Sequence, residues 1–346
     1  MAYQSQVPVV EHGVILPKKH IAAAHGVLEQ KLVVPNFFQK KSMLDFAGAE
    51  GSKLYYKVPG ALPWREYAMR NDRTDALVFD TFEEAEVEIT VTGRLYSGVR
   101  ITDEQNDFDE VNPGYVVPMQ AAAVARGVEK LCVDAFASTQ FPFVIGGLEN
   151  DPFKAFVTAR QLLNKLNNEG ARTALVGSDV AAVLLYDERV SRALNSGDTI
   201  AERALQDATI GRLAGFNIVE SSSVAPDEVV FITGDAFTLF TGAPQPPAEV
   251  VSASRNYNGV AMTWLQDYET ERLMRRSVLV TYAGTAPAKD FLQKYNATTR
   301  MPERSAAPHF VRGVKAKLAG TSSIVNQDVA DFAGVASVPT ITAPTP

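Results

Sequence analysis

The side chains of this sequence best suited to catalysis are four histidines, one cysteine and a short serine run, and their spacing withholds it. His12, His20, His25 and His309 all lie in the terminal segments. His20 and His25 miss the four-residue spacing that stacks two ligands on one helix face, and no glutamate separates them. They read as solvated or interface histidines, and no metal is expected. Ser221-Ser222-Ser223 lacks the flanking glycines of a nucleophile elbow and reads as a turn. Cys132, between Leu131 and Val133, reads as a small buried hydrophobe, and alone it can form no internal disulfide. Gly211-Arg212-Leu213-Ala214-Gly215 precedes a strand, whereas a phosphate loop follows one and opens a helix. Asp103, Asp107 and Asp109 lack the spacing and the glycine of a calcium loop, so the acidic runs read as solvated faces. No catalytic residue and no cofactor is assigned. One enzyme-like alternative stays open: Val176-Gly177-Ser178, a strand-to-helix junction with Asp179 and Arg172 nearby, as an α/β ligand site.

Composition narrows the classes further. The chain has 346 residues, 46% hydrophobic and 21% charged, with a net charge of −7, which is ordinary globular material rather than a disordered chain. No apolar run reaches the ~18–20 residues of a membrane helix, and the N-terminus lacks a secretion signal. With its single cysteine, this reads as a protein of a reducing cytoplasm. Residues 1–43 and 289–346 each carry +3, leaving −13 between them. An acidic body of that kind is a poor sequence-specific DNA reader.

The elements expected from the pattern are unevenly distributed. Residues 1–43 read as an arm broken by Pro8, Pro17 and Pro35, with a short helix at 19–30. In it Leu32, Val33, Val34, Phe37 and Phe38 form an exposed apolar patch in need of a partner. A strand at 53–58 and the period-two alternation at 86–91 flank a polar tip, which predicts a projecting hairpin. Trp64, Arg65, Tyr67, Met69, Arg70 and Arg73 near that tip are the residue types that anchor interfaces. Another strand runs over 94–101. Asn112-Pro113-Gly114 opens a long helix to about Ser138, with Val117, Val124, Val128, Leu131 and Ala135 on one face.

From residue 140 helices and strands alternate. Asp151-Pro152 starts a helix that Gly170 caps, 172–176 is a buried strand, and Ser178 to Tyr186 is a second helix. Strands follow at 215–220 and 229–233, then a hairpin at 260–268 and 272–283. Beyond Gly284 the chain reads as irregular. The last nine residues, 338–346, with three prolines, read as unable to bury much of themselves and as held by a neighbouring chain.

This order of parts resembles the major capsid proteins of tailed bacteriophages, with the HK97-type fold. The resemblance is carried by residues 153–224: Arg160-Gln161-Leu162-Leu163-Asn164, Gly170-Ala171-Arg172, the strand Thr173-Ala174-Leu175-Val176-Gly177, Arg192-Ala193-Leu194, and Gly211-Arg212-Leu213-Ala214-Gly215-Phe216 leading into a strand. In that stretch Gly211, Arg212, Gly215 and Phe216 are the axial-domain motif. The resemblance implies an α+β fold with an N-arm (1–43), an extended β-hairpin E-loop and its base strands (44–110), and the spine helix of a peripheral domain (111–139). It further implies an α/β axial domain (140–258) and return strands (259–290); the chain departs from the family pattern after Gly284, where residues beyond what the fold needs are expected to form a C-terminal extension (291–346) gripping a neighbour. It implies a non-enzymatic shell subunit forming hexamers and pentamers of an icosahedral phage head around double-stranded DNA. Implied partners are the chain itself, a separate scaffolding protein, a portal, a decoration protein and DNA held without sequence recognition, with no membrane. Assembly is expected in the host cytoplasm and residence in the virion capsid. Lys53 and Lys57 lie at the base of the hairpin, so no covalent cross-link between subunits is expected. An encapsulin-like nanocompartment shell is the alternative within the same fold.

Overall fold

The computed structural model describes residues 33–42, 53–59, 67, 76–77, 79, 81, 84–90, 93–108, 113–168, 170–187, 211–245, 251–257, 260–296, 301–305 and 307–342. Its strands in chain order are β1 (Gln39–Ser42), β2 (Lys53–Pro59), β3 (Glu84–Thr90), β4 (Gly93–Thr102), β5 (Phe143–Ile145), β6 (Arg172–Val176), β7 (Arg212–Leu213) and β8 (Phe216–Glu220). They continue as β9 (Glu228–Thr233), β10 (Phe237–Gly242), β11 (Val251–Tyr257), β12 (Val260–Glu269), β13 (Met274–Pro287), β14 (Gln293–Asn296), β15 (Met301–Arg304), β16 (Gly313–Lys317) and β17 (Ser323–Ile324). The helices are α1 (Asp103–Phe108), α2 (Pro113–Ser138), α3 (Pro152–Lys165), α4 (Ser178–Tyr186) and α5 (Gln327–Ala333).

A seven-stranded sheet, in the order β17-β5-β16-β9-β6-β8-β7, separates two apolar cores. Successive strand residues point to opposite faces, so a strand covered on both sides must be apolar throughout. β9 meets that demand: Val229 and Phe231 join the core under α3, α4 and α5, while Val230 and Ile232 join the core beneath α2. In the first core Phe156 of α3 packs edge-on against Phe216 and Phe231, at 6.0 and 4.9 Å between ring centres.

The second core lies between that sheet and a six-stranded one, ordered β1-β10-β13-β12-β11 with β4 also paired to β13. Its long helix α2, 26 residues or about 39 Å, buries Ala121, Val124, Ala125, Val128, Cys132, Ala135 and Phe136. The expected face is thus present at Val124, Val128 and Ala135, and Cys132 is fully buried as expected. Val117 and Leu131 sit at its margin, half-buried. Near the helix start Gln120, also buried, donates to the carbonyls of Ser97 and Ser277 and accepts from the Ser277 hydroxyl. Trp264 Nε1 donates to that same hydroxyl at 2.8 Å. This closed polar network ties α2 to three strands and fixes its register, since a slip would strand buried donors.

Four expectations need correction. Helix α3 ends at Lys165 and is capped at Leu166 rather than at Gly170, because Asn167 takes the left-handed turn (φ 55°) that a terminating glycine would supply. The apolar cluster of the arm does not wait for a partner at Val34 and Phe38: both are buried in their own subunit. Phe38 stacks on Phe237 at 5.1 Å and meets Phe136 at 5.6 Å, while Val33 and Phe37 are half-buried.

The C-terminal extension does not reach outward either. β16 runs parallel to β5 on one side and antiparallel to β9 on the other, inside the seven-stranded sheet. The tail likewise returns to its own body. Val338 and Ile341 are buried in the first core, and the Ile341 amide donates to Gly146 O at 3.2 Å. Its physical reason is local: residues bounded by prolines cannot make a helix, but two well-placed aliphatics suffice to dock an extended segment.

Candidate assembly surfaces

Among the described residues, the β2–β3 hairpin presents several exposed side chains. Register pairs Lys53 with Thr90, Tyr55 with Glu88, Lys57 with Glu86 and Pro59 with Glu84. Period two therefore sets Tyr55 and Lys57 on one face with Glu84 and Glu86. On the charged face Tyr55, Lys57, Glu84 and Glu86 are exposed. Lys57 Nζ reaches Glu84 at 2.9 Å, and that hydrogen bond holds the lysine above its usual pKa. Two strands cannot make a core of their own, and such hairpins are marginal unless something else covers them.

Of the residues that sequence places at the tip, Tyr67 is described and exposed; Trp64, Arg65, Met69, Arg70 and Arg73 lie outside the described residues, as does Leu32 of the arm. The structure adds two that sequence reading missed. Leu77 is 63% exposed and Phe79 89%, large apolar groups in water. Their signal was present as Ala76-Leu77-Val78-Phe79, an apolar run between aspartates within an otherwise polar tip.

A second open surface is the outer side of β4. Arg94, Tyr96 and Arg100 share the face turned away from α2, and all three are exposed, Tyr96 by 73%. Arg94 stacks over the Tyr282 ring at 5.0 Å, which spreads its guanidinium flat against the sheet. Arg276 on the neighbouring strand is already engaged by Asp267 at 2.7 Å and Glu269 at 3.4 Å. The uncommitted positive charge on this face therefore sits on Arg94 and Arg100.

The axial motif is structural. Arg212-Leu213 and Phe216-Asn217 pair across Ala214 (φ 49°) and Gly215 (φ 91°), the two positive dihedrals of a two-residue hairpin turn. Arg160 of α3 reaches the turn's carbonyl at Ala214, and Phe216 is fully buried, whereas Gly211 and Arg212 are exposed. The enzyme-like alternative is not assembled. Arg172 and Ser178 flank β6 at opposite ends, with Arg172 bound to Asn164 Oδ1 and Asn168 O at 2.6 Å each and Ser178 to Asp179. Among the described residues no three His, Cys, Asp or Glu side chains converge as metal ligands, and no helix is long and apolar enough to cross a membrane.

A search of curated proteins finds no match. Solved structures share the fold at low identity. One from Mycobacterium phage Che8 is 15% identical, covers 92% of this chain and 100% of its own, and has a TM-score of 0.58. The capsid of cyanophage P-SCSP1u is 10% identical over 86% of this chain and 90% of its own, with a TM-score of 0.56. The mature capsid of bacteriophage PhiM1 is 10% identical over 82% and 86%, with a TM-score of 0.51. The family profile described as phage capsid protein matches residues 86–289, more than half of the sequence. The chain belongs to the phage capsid protein family, as a structural major capsid protein with the HK97-type fold of tailed phages.

Proposed function

We propose that copies of this chain form hexamers and pentamers that close an icosahedral head around double-stranded DNA. The observation that carries this reading is the β2–β3 hairpin, a two-stranded element whose described charged side chains, with Tyr67 and Phe79 of its tip, are exposed. Its acidic face seats on Arg94, Tyr96 and Arg100 of an adjacent copy, where the charges are complementary and an aromatic anchor is available. Trp64, Tyr67, Met69 and the tip arginines Arg65, Arg70 and Arg73 extend the same contact. One subunit suits different neighbours by flexing this hairpin, and the long α2 acts as the rigid element when the shell changes shape.

A separate scaffolding protein, a portal and a decoration protein complete the particle, which assembles in the host cytoplasm. The acidic body fits a DNA cargo held without sequence recognition, because a strongly basic lining would retain the genome. The subunit carries out no chemistry of its own. An encapsulin-like shell shares the fold, but the phage capsid family match does not favour it.

Negative-stain microscopy of the purified chain, alone and with a candidate scaffold, tests the proposal. Rings or closed shells are expected; a concentrated sample that stays monomeric overturns it. The contact itself is tested by charge exchange. Glu84→Lys with Glu86→Lys should abolish shells, as should Arg94→Glu with Arg100→Glu, and the four together should restore them.

A further inference from the structure

A cleft of about 440 Å³ opens where the six-stranded sheet ends. β10 and β13 pair as far as Phe237 and Pro287, and Asp235 and Asp290, just beyond that pair, form one wall with Arg312. The floor is apolar: Leu166 and Val311 are buried, and Phe332 beside them is half-buried. Lys165, the last residue of α3, stands exposed at the rim.

The charges around this cleft are not equally free. Arg312 donates through Nε and Nη2 to Asp290 and through Nη1 to Asp235, so all three nitrogens and both carboxylates are engaged. What the guanidinium has left to offer is its flat face, which suits an aromatic ring. Lys165 has no hydrogen bond or ion pair among the described residues. An apolar floor, a guanidinium face and one uncommitted ammonium together fit an aromatic side chain that stands beside a carboxylate.

This sequence carries such a pair outside both cores. Phe79 is 89% exposed, and Asp80 follows it directly. We propose that the cleft receives Phe79 of an adjacent copy, with Asp80 of that copy on Lys165. The inference rests on the reading that the hairpin crosses to a neighbour, and the distances suit it. Phe79 lies five residues before Glu84, a reach of up to about 17 Å. On the receiving copy β13 runs from Tyr282, which Arg94 covers, toward Asp290, eight residues and at most about 26 Å away. A hairpin whose glutamates sit at Arg94 therefore points its tip along β13 at the cleft of the same neighbour. Tyr186-Asp187 is another exposed pair of this kind, but Asp187 already has a partner in its own subunit.

Carbodiimide coupling, which joins an amine to a carboxylate in contact as an amide, reads the arrangement in assembled shells. A chain-dimer band is expected whose peptides, by mass spectrometry, link Lys165 of one copy to Asp80 of another. Phe79→Ser, which keeps both coupling partners, should lose that link. Lys165→Glu and Asp80→Lys should each raise the concentration needed for shells several-fold, and the two together should bring it back. Lys165 is exposed, so an unfolding midpoint unchanged in Lys165→Glu separates a lost contact from a folding defect. Shells that form without the Lys165–Asp80 amide overturn the inference and leave the hairpin reading standing. So does an amide confined to one chain, or one from Lys165 to a different carboxylate such as Asp187. A chain that never assembles overturns both.

Discussion

The β2–β3 hairpin and the C-terminal segment from β16 onward differ less in sequence than in fate. Each is polar, interrupted by proline or glycine, and outside the long apolar patterns. β16 lies between β5 and β9 with Val314 and Ala316 fully buried, whereas the hairpin pairs only with itself in a two-stranded sheet. What separates them is the number of flanking strands, since both carry ion pairs across the ladder. Lys315 and Lys317 look like the solvated side of a surface strand, yet Glu228 of β9 meets both, at 2.5 and 3.4 Å. In the hairpin Lys57 pairs with Glu84 and lies across from Glu86, and all three are exposed. An opposite charge across the ladder therefore does not by itself decide burial; β16 is flanked by a strand on each side, and the hairpin is not.

The largest effect expected from this comparison is on removal of the two segments. Deleting residues 313–342 should leave no folded protein by circular dichroism, since it opens the seven-stranded sheet at its centre and uncovers the first core. Replacing the hairpin connection, residues 60–83, with a short turn should leave cooperative unfolding in place while shells are lost from micrographs. A folded product from the first deletion would break the distinction.

Single substitutions sharpen it. Val314→Asp, placing a charge in a fully buried site, should cost about 3–5 kcal/mol in denaturant unfolding. Arg312 fastens the same segment, through Nε and Nη2 to Asp290 at 2.5 and 2.6 Å and through Nη1 to Asp235. Arg312→Ala should cost about 1–2 kcal/mol, as the lost bonds are charged but partly hydrated. Phe79→Ser in the hairpin tip should shift stability by less than about 0.5 kcal/mol yet weaken assembly in sedimentation. Smallest of all, Lys57→Gln should leave the melting temperature unchanged, because its ion pair lies at the surface in water.

The parts legible in advance were those whose pattern is local and long. α2 declared itself by its stripe, α3 by Asp151, whose carboxylate accepts the Lys154 amide, and β12–β13 by two strands about one acidic turn. β10 escaped because Phe237-Thr238-Leu239-Phe240-Thr241 mixes threonine with aromatics, and its threonines are buried nonetheless. β5, at three residues, is too short to show a period. Of the contact residues, Phe38 read as unpartnered because its partners, Phe136 and Phe237, lie about 100 and 200 residues away. Nothing local could reveal them. Leu77 and Phe79 escaped for the opposite reason, since an apolar run in a polar tip was absorbed into the tip's overall polarity.

The double allegiance of β9 has a mechanical consequence. Val229 and Phe231 belong to one packing layer and Val230 and Ile232 to the other, so sliding this strand by a single position would turn both sets the wrong way at once. Neither layer can creep without dragging its opposite. A wall stitched through in that manner answers a load as one plate.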